Sequence, residues 1–236
     1  MAKKKEINFE DQLIEELDST FRTKKKAATA SHLSDSSSNV KDWISTGDFM
    51  LDLVLSNKLD GGLPVGRLTE ISGGEGAGKT LLASYILANT QKKGGIAIYI
   101  DSEHAASIEV LERVGVDIDK LIYVQASTIE EVFQAMETIV TKVQAENTKR
   151  LITIVWDSVA ATSTDAEISG DYGDRTIGLA ARLIGQGLRK YIPIVSKYNV
   201  CLVFINQLRT KIGVTFGDDS TTPGGKRIAL PLLACV

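Results

Sequence analysis

The chain has 236 residues, 43 % of them apolar and 24 % charged, enough for one substantial α/β domain with a small appendage. Its formal net charge of −3 excludes a global basic field, so nucleic-acid binding would need a local patch. Two cysteines (Cys201 and Cys235, both in apolar strand-like stretches) and two histidines (His32 and His104) exclude a disulfide framework and a zinc cluster and predict a reducing, cytoplasmic setting; no apolar run is long enough to span a bilayer, and no signal core follows the basic Met1-Ala2-Lys3-Lys4-Lys5.

Residues 6–22 place Ile7, Phe9, Leu13, Ile14, Leu17 and Phe21 at the spacing of an amphipathic helix. Lys24-Lys25-Lys26 and the Ser-rich stretch from Ser31 to Asn39 then predict a linker, which separates residues 1–42 from a main domain at 43–236. The helix suits either a solvated cap on that domain or an arm docking on a neighbouring subunit.

From Trp43 onward strands and helices alternate. Strands are predicted at Leu68–Ser72, Ile96–Asp101, Leu121–Gln125, Leu151–Asp157 and Val200–Asn206. Each is nearly continuous in Val, Ile, Leu and aromatics, the signature of parallel strands buried on both faces. Helices are predicted at 79–92, 106–114, 128–147 and 175–198. The third opens with Ser127-Thr128-Ile129-Glu130, which reads as a capping box. Its stripe of Ile129, Val132, Phe133, Met136, Ile139, Val140 and Val143 should face the sheet. Pro193 should kink or end the fourth.

Between the first strand and the first helix stands Gly73-Gly74-Glu75-Gly76-Ala77-Gly78-Lys79-Thr80, a G-x-x-x-x-G-K-T phosphate-binding loop. Glycines let the backbone curl until several N–H groups face one anion. Lys79 would reach the β- and γ-phosphates, and the Thr80 hydroxyl would hold Mg²⁺. The helix that follows would turn its positive end toward the phosphates.

In open α/β sheets the site lies beyond the carboxyl ends of the strands. Those ends carry Asp101-Ser102-Glu103-His104, Asp157-Ser158 and Asn206-Gln207. An apolar strand ending in Asp157, after a phosphate loop, predicts a carboxylate supporting Mg²⁺. Glu103 suits a general base for an attacking water, or equally a carboxylate stabilised at a helix N-terminus. Gln207 could sense a γ-phosphate, since an amide both donates and accepts.

Two long loops are predicted, from about Ala160 to Gly178 and from about Leu208 to Gly225. The second interleaves Arg209, Lys211, Ile212, Val214 and Phe216, a composition suited to single-stranded nucleic acid. The first carries Glu167, Asp171 and Asp174, followed by Arg175 and Arg182. Composition leaves DNA-contacting loops and active-site lids both open.

Taken together, these stretches resemble the bacterial and phage RecA recombinase family. The resemblance rests on Ile44-Ser45-Thr46-Gly47, Gly61-Gly62-Leu63-Pro64-Val65-Gly66-Arg67, the phosphate loop, Asp101-Ser102-Glu103-His104-Ala105 and Val155-Trp156-Asp157-Ser158-Val159-Ala160-Ala161. It continues through Ala166-Glu167-Ile168, Gly178-Leu179-Ala180-Ala181-Arg182 and Phe204-Ile205-Asn206-Gln207-Leu208-Arg209-Thr210-Lys211-Ile212-Gly213-Val214, covering residues 43 to 225 in order.

The resemblance implies a RecA-type P-loop core, an α/β fold with a mostly parallel sheet flanked by helices. It implies DNA-stimulated ATP hydrolysis with Mg²⁺, a head-to-tail helical filament of the chain on single-stranded DNA, and strand exchange with double-stranded DNA in recombination and repair. By match, Glu103 becomes the catalytic carboxylate, Gln207 the γ-phosphate sensor and Asp157 the Mg²⁺-linked acid. Arg182, Arg189, Arg209, Lys211, Gly224 and Gly225 fall where the family touches the DNA backbone. Ile177 and Ile212 fall between base triplets, and Phe216 at a subunit contact. The N-terminal helix becomes the docking arm.

This chain departs from the family pattern in places. Ser107 and Val110 stand where the family usually has Asp and Tyr around the adenine. Gly74 replaces a Pro, and Ala77 a small hydroxyl residue. After Gly225 the family continues with a strand carrying Lys and Phe, then more sheet and a small C-terminal domain. Here Lys226-Arg227-Ile228-Ala229-Leu230-Pro231-Leu232-Leu233-Ala234-Cys235-Val236 follows, where Pro231 would interrupt a central strand. That ending predicts a truncated or frame-shifted form, with a minimal phage recombinase as the alternative. A second functional reading is therefore a weakly active ATP- or DNA-binding accessory protein that joins or caps a full-length recombinase filament. A hexameric helicase motor on the same core fits the run from Gln207 to Ile212 less well.

Overall fold

The computed structural model describes residues 9–23, 30, 40–146, 150–171, 178–207, 209–210 and 220–221. Met1–Val40 forms one compact unit and Lys41–Val236 the other. In the first, α1 (Phe9–Thr23) opens with Glu10 and Asp11, which complement the positive end of the helix. Phe9, Leu13 and Leu17, four residues apart, share one exposed face. Ile7 lies outside the described residues.

The second unit begins with β1 (Trp43–Ile44), α2 (Phe49–Ser56) and β2 (Leu63–Pro64), which pairs antiparallel with β1. Then come β3 (Leu68–Gly73), α3 (Lys79–Lys92), β4 (Ile96–Asp101), α4 (Ile108–Arg113) and β5 (Ile122–Gln125). They are followed by α5 (Ile129–Glu146), β6 (Ile152–Asp157), α6 (Asp165–Ser169), α7 (Leu179–Lys197) and β7 (Val200–Gln207). Two short strands, β8 (Arg209–Thr210) and β9 (Ser220–Thr221), pair antiparallel.

The central sheet has the order β3-β7-β6-β4-β5, and all its pairings are parallel. Alternation along the strands feeds two cores. Ile98, Ile100, Ile152, Ile154, Trp156, Leu202 and Phe204 face α5 and α7. Ile71, Ala97, Tyr99, Val155, Cys201, Val203 and Ile205 face α3. The first core is cross-braced by rings. Trp156 meets Phe204 edge-on at 5.0 Å, and Phe133 stacks on Tyr191 at 5.6 Å with planes 3° apart. The predicted α5 stripe lies on this side: Ile129, Val132, Met136, Val140 and Val143 are buried, and Phe133 and Ile139 pack beside them.

Three expectations change and a fourth narrows. The strand at Ile122–Gln125 is the sheet edge, with Ile122 and Tyr123 exposed, so it is not buried on both faces. The capping box sits one residue later than expected. Thr128 Oγ1 accepts from the Glu131 amide at 3.2 Å, and Glu131 Oε2 accepts from the Ser127 and Thr128 amides at 2.7 and 3.2 Å. Of the two outcomes expected at Pro193, an end to the helix is removed: α7 runs through it to Lys197, at the cost of the amide bond that residue 193 would have given the Arg189 carbonyl. The loop after Ala160 contains α6, started by a capping box between Thr164 and Glu167.

Glycine is required most strictly at Gly62, where φ is +122° and a Cβ would fall 2.1 Å from the Ile44 carbonyl oxygen. Gly94 also has a positive φ, +73°, but a Cβ there would meet open space. Gly94→Ala should therefore cost about 1–2 kcal/mol, the left-handed penalty alone. Gly62→Ala should cost about 3 kcal/mol or more, because the β1–β2 pairing must also shift. Urea unfolding of the two variants checks the order.

Candidate nucleotide and metal site

The register brings the polar strand ends to one side of the sheet in two rungs, two residues apart. Gly73 pairs with Gln207, and Asp101 pairs with Asp157. These four residues thus reach the same edge of the sheet, where a cavity of about 310 Å³ opens. It is lined by Glu75, Gly76, Gly78, Lys79, Thr80, Leu81, Glu103, Asp157 and Gln207.

The floor of this cavity is the loop Gly73–Thr80. Gly76 and Gly78 hold φ of +70° and +88°, and Cβ atoms on them or on Gly74 would meet nothing within 4 Å. Gly78 is the N-cap of α3 and has no side chain to spend on the first-turn amides. An uncapped helix start beneath a hollow is the arrangement an anion completes. The Lys79 ammonium donates to the Gly74 carbonyl at 2.7 Å, across the mouth of the loop.

Beside the loop stands Asp157, 4 % exposed. Its Oδ2 accepts from the Thr80 hydroxyl at 2.7 Å and from the Tyr99 phenol at 2.9 Å. Burial pushes the Asp157 carboxyl above the ordinary carboxylate range, Glu103 and Asp101 push it further, and the two hydroxyl donors pull it back. The same burial and the neighbouring carboxylates raise the Tyr99 phenol, so it stays protonated as a donor.

Glu103 sits on a loop shaped by Asp101. Asp101 Oδ1 accepts from the Glu103 amide at 3.0 Å, while Oδ2 accepts from the Ala106 amide at 3.0 Å and the Tyr123 phenol at 2.8 Å. Glu103 Oε1 in turn accepts from the Ser158 hydroxyl at 2.5 Å and the Gln207 amide nitrogen at 3.3 Å. The following helix starts later than expected and is capped by Ser107, whose side chain accepts from the Val110 amide. Glu103 therefore stands four residues ahead of that cap and bonds to Ser158 and Gln207. Gln207 is fixed from behind, because its backbone N–H donates to Asn206 Oδ1 at 3.0 Å and the Asn206 side-chain nitrogen donates to the buried Glu70 at 2.8 Å.

The predicted phosphate-loop residues, Thr80, Asp157, Glu103 and Gln207 thus converge on one cavity. Arg182 and Arg189 lie elsewhere, on α7, exposed on one face with Gln186 between them. Arg209 lies on β8. Ile177, Lys211, Ile212, Phe216, Gly224 and Gly225 lie outside the described residues. Tyr99 and Ser158 were not singled out from sequence. Tyr99 could have been: it is two residues before Asp101, on the same face, and a tyrosine in an otherwise apolar strand must place its hydroxyl somewhere.

The donor set fits magnesium brought in by phosphates. Among the described residues no three His, Cys, Asp or Glu side chains gather as a metal cage. One hydroxyl and one carboxylate beside an anion cradle match an ion that takes most of its ligands from phosphate and water.

Because folding raises the Asp157 pKa, the folded chain holds a proton that the unfolded chain releases. The resulting cost is absent below the ordinary value of 3.8, grows as pH rises through the raised value, and persists above it. The stability of Asp157→Asn relative to wild type, from urea midpoints without nucleotide, should therefore improve from pH 4 toward neutrality. A difference that is flat with pH would contradict this.

Among known proteins, the family model described as the RecA N-terminal domain matches residues 11–236. "Protein RecA" of Wolbachia sp. subsp. Brugia malayi (strain TRS) is 46 % identical over 187 residues, 79 % of this chain and 50 % of that protein. "Protein RecA" of Citrifermentans bemidjiense is 45 % identical over 185 residues, 78 % of this chain and 52 % of that protein. The protein of the same name from Clostridium acetobutylicum is 45 % identical over 187 residues, 79 % of this chain and 51 % of its own length. The chain spans about half the length of these curated relatives. With a phosphate loop, a buried strand-end aspartate and a strand-end glutamine converging on one cavity, and with a match across nearly its whole length, the chain belongs to the RecA family.

Proposed function

We propose that this chain binds ATP with Mg²⁺ and hydrolyses it in response to single-stranded DNA, as the nucleotide-driven core of homologous strand exchange and DNA repair. The observation that carries this is the convergence of Lys79, Thr80, Asp157, Glu103 and Gln207 on one cavity above an uncapped helix start. Amides of the loop and Lys79 would cradle the phosphates. Thr80 and Asp157 would hold the metal, which when bound neutralises charge on the phosphate oxygens.

Glu103 is suited to orient and deprotonate the attacking water, since it lines the same cavity and is held by Ser158. Gln207 touches Glu103 and ends the strand that leads to β8. A change at the γ-phosphate would thus pass into the segment from residue 208 onward. Arg182 and Arg189, with Arg209, supply local cations for a DNA backbone on a chain of net negative charge. The exposed face of α1 suits a docking arm for a neighbouring copy, residues 1–42 then serving assembly and 43–236 serving nucleotide and DNA.

Two variants separate binding from turnover. Lys79→Ala should lose ATP binding and hydrolysis together. Glu103→Gln should keep ATP binding but lower DNA-stimulated turnover by about 10²–10⁴-fold, the range for loss of a general base. ATPase assays with and without single-stranded DNA, beside nucleotide-binding measurements, check both. Wild-type chain that is folded, binds ATP and shows no response to DNA would overturn the proposal.

A further inference from the structure

Asp157 takes two hydrogen bonds on one side-chain oxygen. Thr80 and Tyr99 both donate to Oδ2, and among the described residues none donates to Oδ1. The donors reach it from different directions. Thr80 comes from the first turn of α3, above the sheet edge. Tyr99 comes from below, inside the sheet. Tyr99 pairs with Val155, so it occupies the same face as Asp157, one side-chain step back from the edge. Its ring is 3 % exposed, in the core shared by Ala83, Ile86 and Leu87 of α3 and Val155 of β6. A phenol so confined has little room to seek another partner.

We propose that Tyr99 is a positioning residue for the metal site: its hydroxyl fixes Oδ2 as the Asp157 oxygen that receives the Thr80 hydroxyl, so that Oδ1 is left for the cavity. This rests on the nucleotide and metal reading of the cavity. A carboxylate has two equivalent oxygens and a soft terminal torsion. With Thr80 as its sole anchor, the group can turn with the Thr80 hydroxyl and offer either oxygen, or both, to that hydroxyl. The second donor removes this freedom before any ligand arrives. Such outer partners tune a metal site by holding its ligands in place. Ser158 plays no part here, because its hydroxyl is committed to Glu103.

Tyr99→Phe deletes the hydroxyl and little else. The readout is a ratio: the dissociation constant of a fluorescent, non-hydrolysable ATP analogue in EDTA, divided by its value in excess Mg²⁺. Thr90→Val is the control. It removes a different buried hydroxyl, on α3, that bonds to the Ile86 carbonyl and to Thr153 far from the cavity. In Tyr99→Phe the ratio should fall about tenfold, the lower end of what loss of an outer partner costs a metal site, with the EDTA value unchanged. In Thr90→Val the ratio should match wild type even where melting temperature drops. An unchanged ratio in Tyr99→Phe overturns the inference whatever happens to its melting temperature, as does an equal fall in Thr90→Val. Wild-type chain whose analogue binding ignores Mg²⁺ overturns the reading of the cavity and this inference with it.

Discussion

In a parallel sheet every strand delivers its carboxyl end to the same side, and the register here gathers four of them at one edge in two rungs set two residues apart. Gly73 beside Gln207 and Asp101 beside Asp157 form two rungs at the sheet edge. The glycine loop, the buried aspartate, the loop bearing Glu103 and the glutamine each continue from one of these rungs. A one-residue slip of any strand would turn its polar end to the other face and dissolve the cluster. Packing of the strand side chains against α3 on one face and α5 and α7 on the other fixes the register, so the core dictates the chemistry above it.

This dependence explains which features could be read from the chain. The strands were legible because they are short, nearly unbroken apolar runs. The phosphate loop and Asp157 were legible because residue type and spacing carry their chemistry. Edge position was not: Ile122-Tyr123-Val124 has the composition of an interior strand, and only the order of pairing exposes it. The capping box moved by one because Ser127 and Thr128 are both good caps and Glu130 and Glu131 both follow at the right distance. Local spacing cannot choose between such pairs, whereas helix packing can. Tyr99 and Ser158 stayed hidden because their partners lie 58 and 55 residues away in the chain, and their contacts exist only once the register is set.

The two faces of the sheet divide the labour. On one, α3 seals the aspartate and Tyr99 beneath the phosphate loop. On the other, α7 lies against α5 with Gly187 over the Phe133 ring; a Cβ there would come within 2.0–2.5 Å of ring atoms. That close approach leaves the opposite face of α7, with Arg182 and Arg189, held on a rigid support. The exposed arginines of α7 and the glycine loop thus sit on elements joined through the same strands, with Trp156 packed between Phe133 and Phe204 at the centre.

Cys201 lies in the middle of this arrangement, on the strand between β3 and β6, with no exposed surface. Burial pushes its thiol up to about 12, so in the closed sheet it is neither ionised nor reachable. Its alkylation must wait for β7 to part from its neighbours. The sulfur therefore works as a native clock: modification at residue 201, timed by mass spectrometry, counts openings of the central sheet one molecule at a time. Any ligand that clamps the strand ends together will slow that clock without touching the thiol.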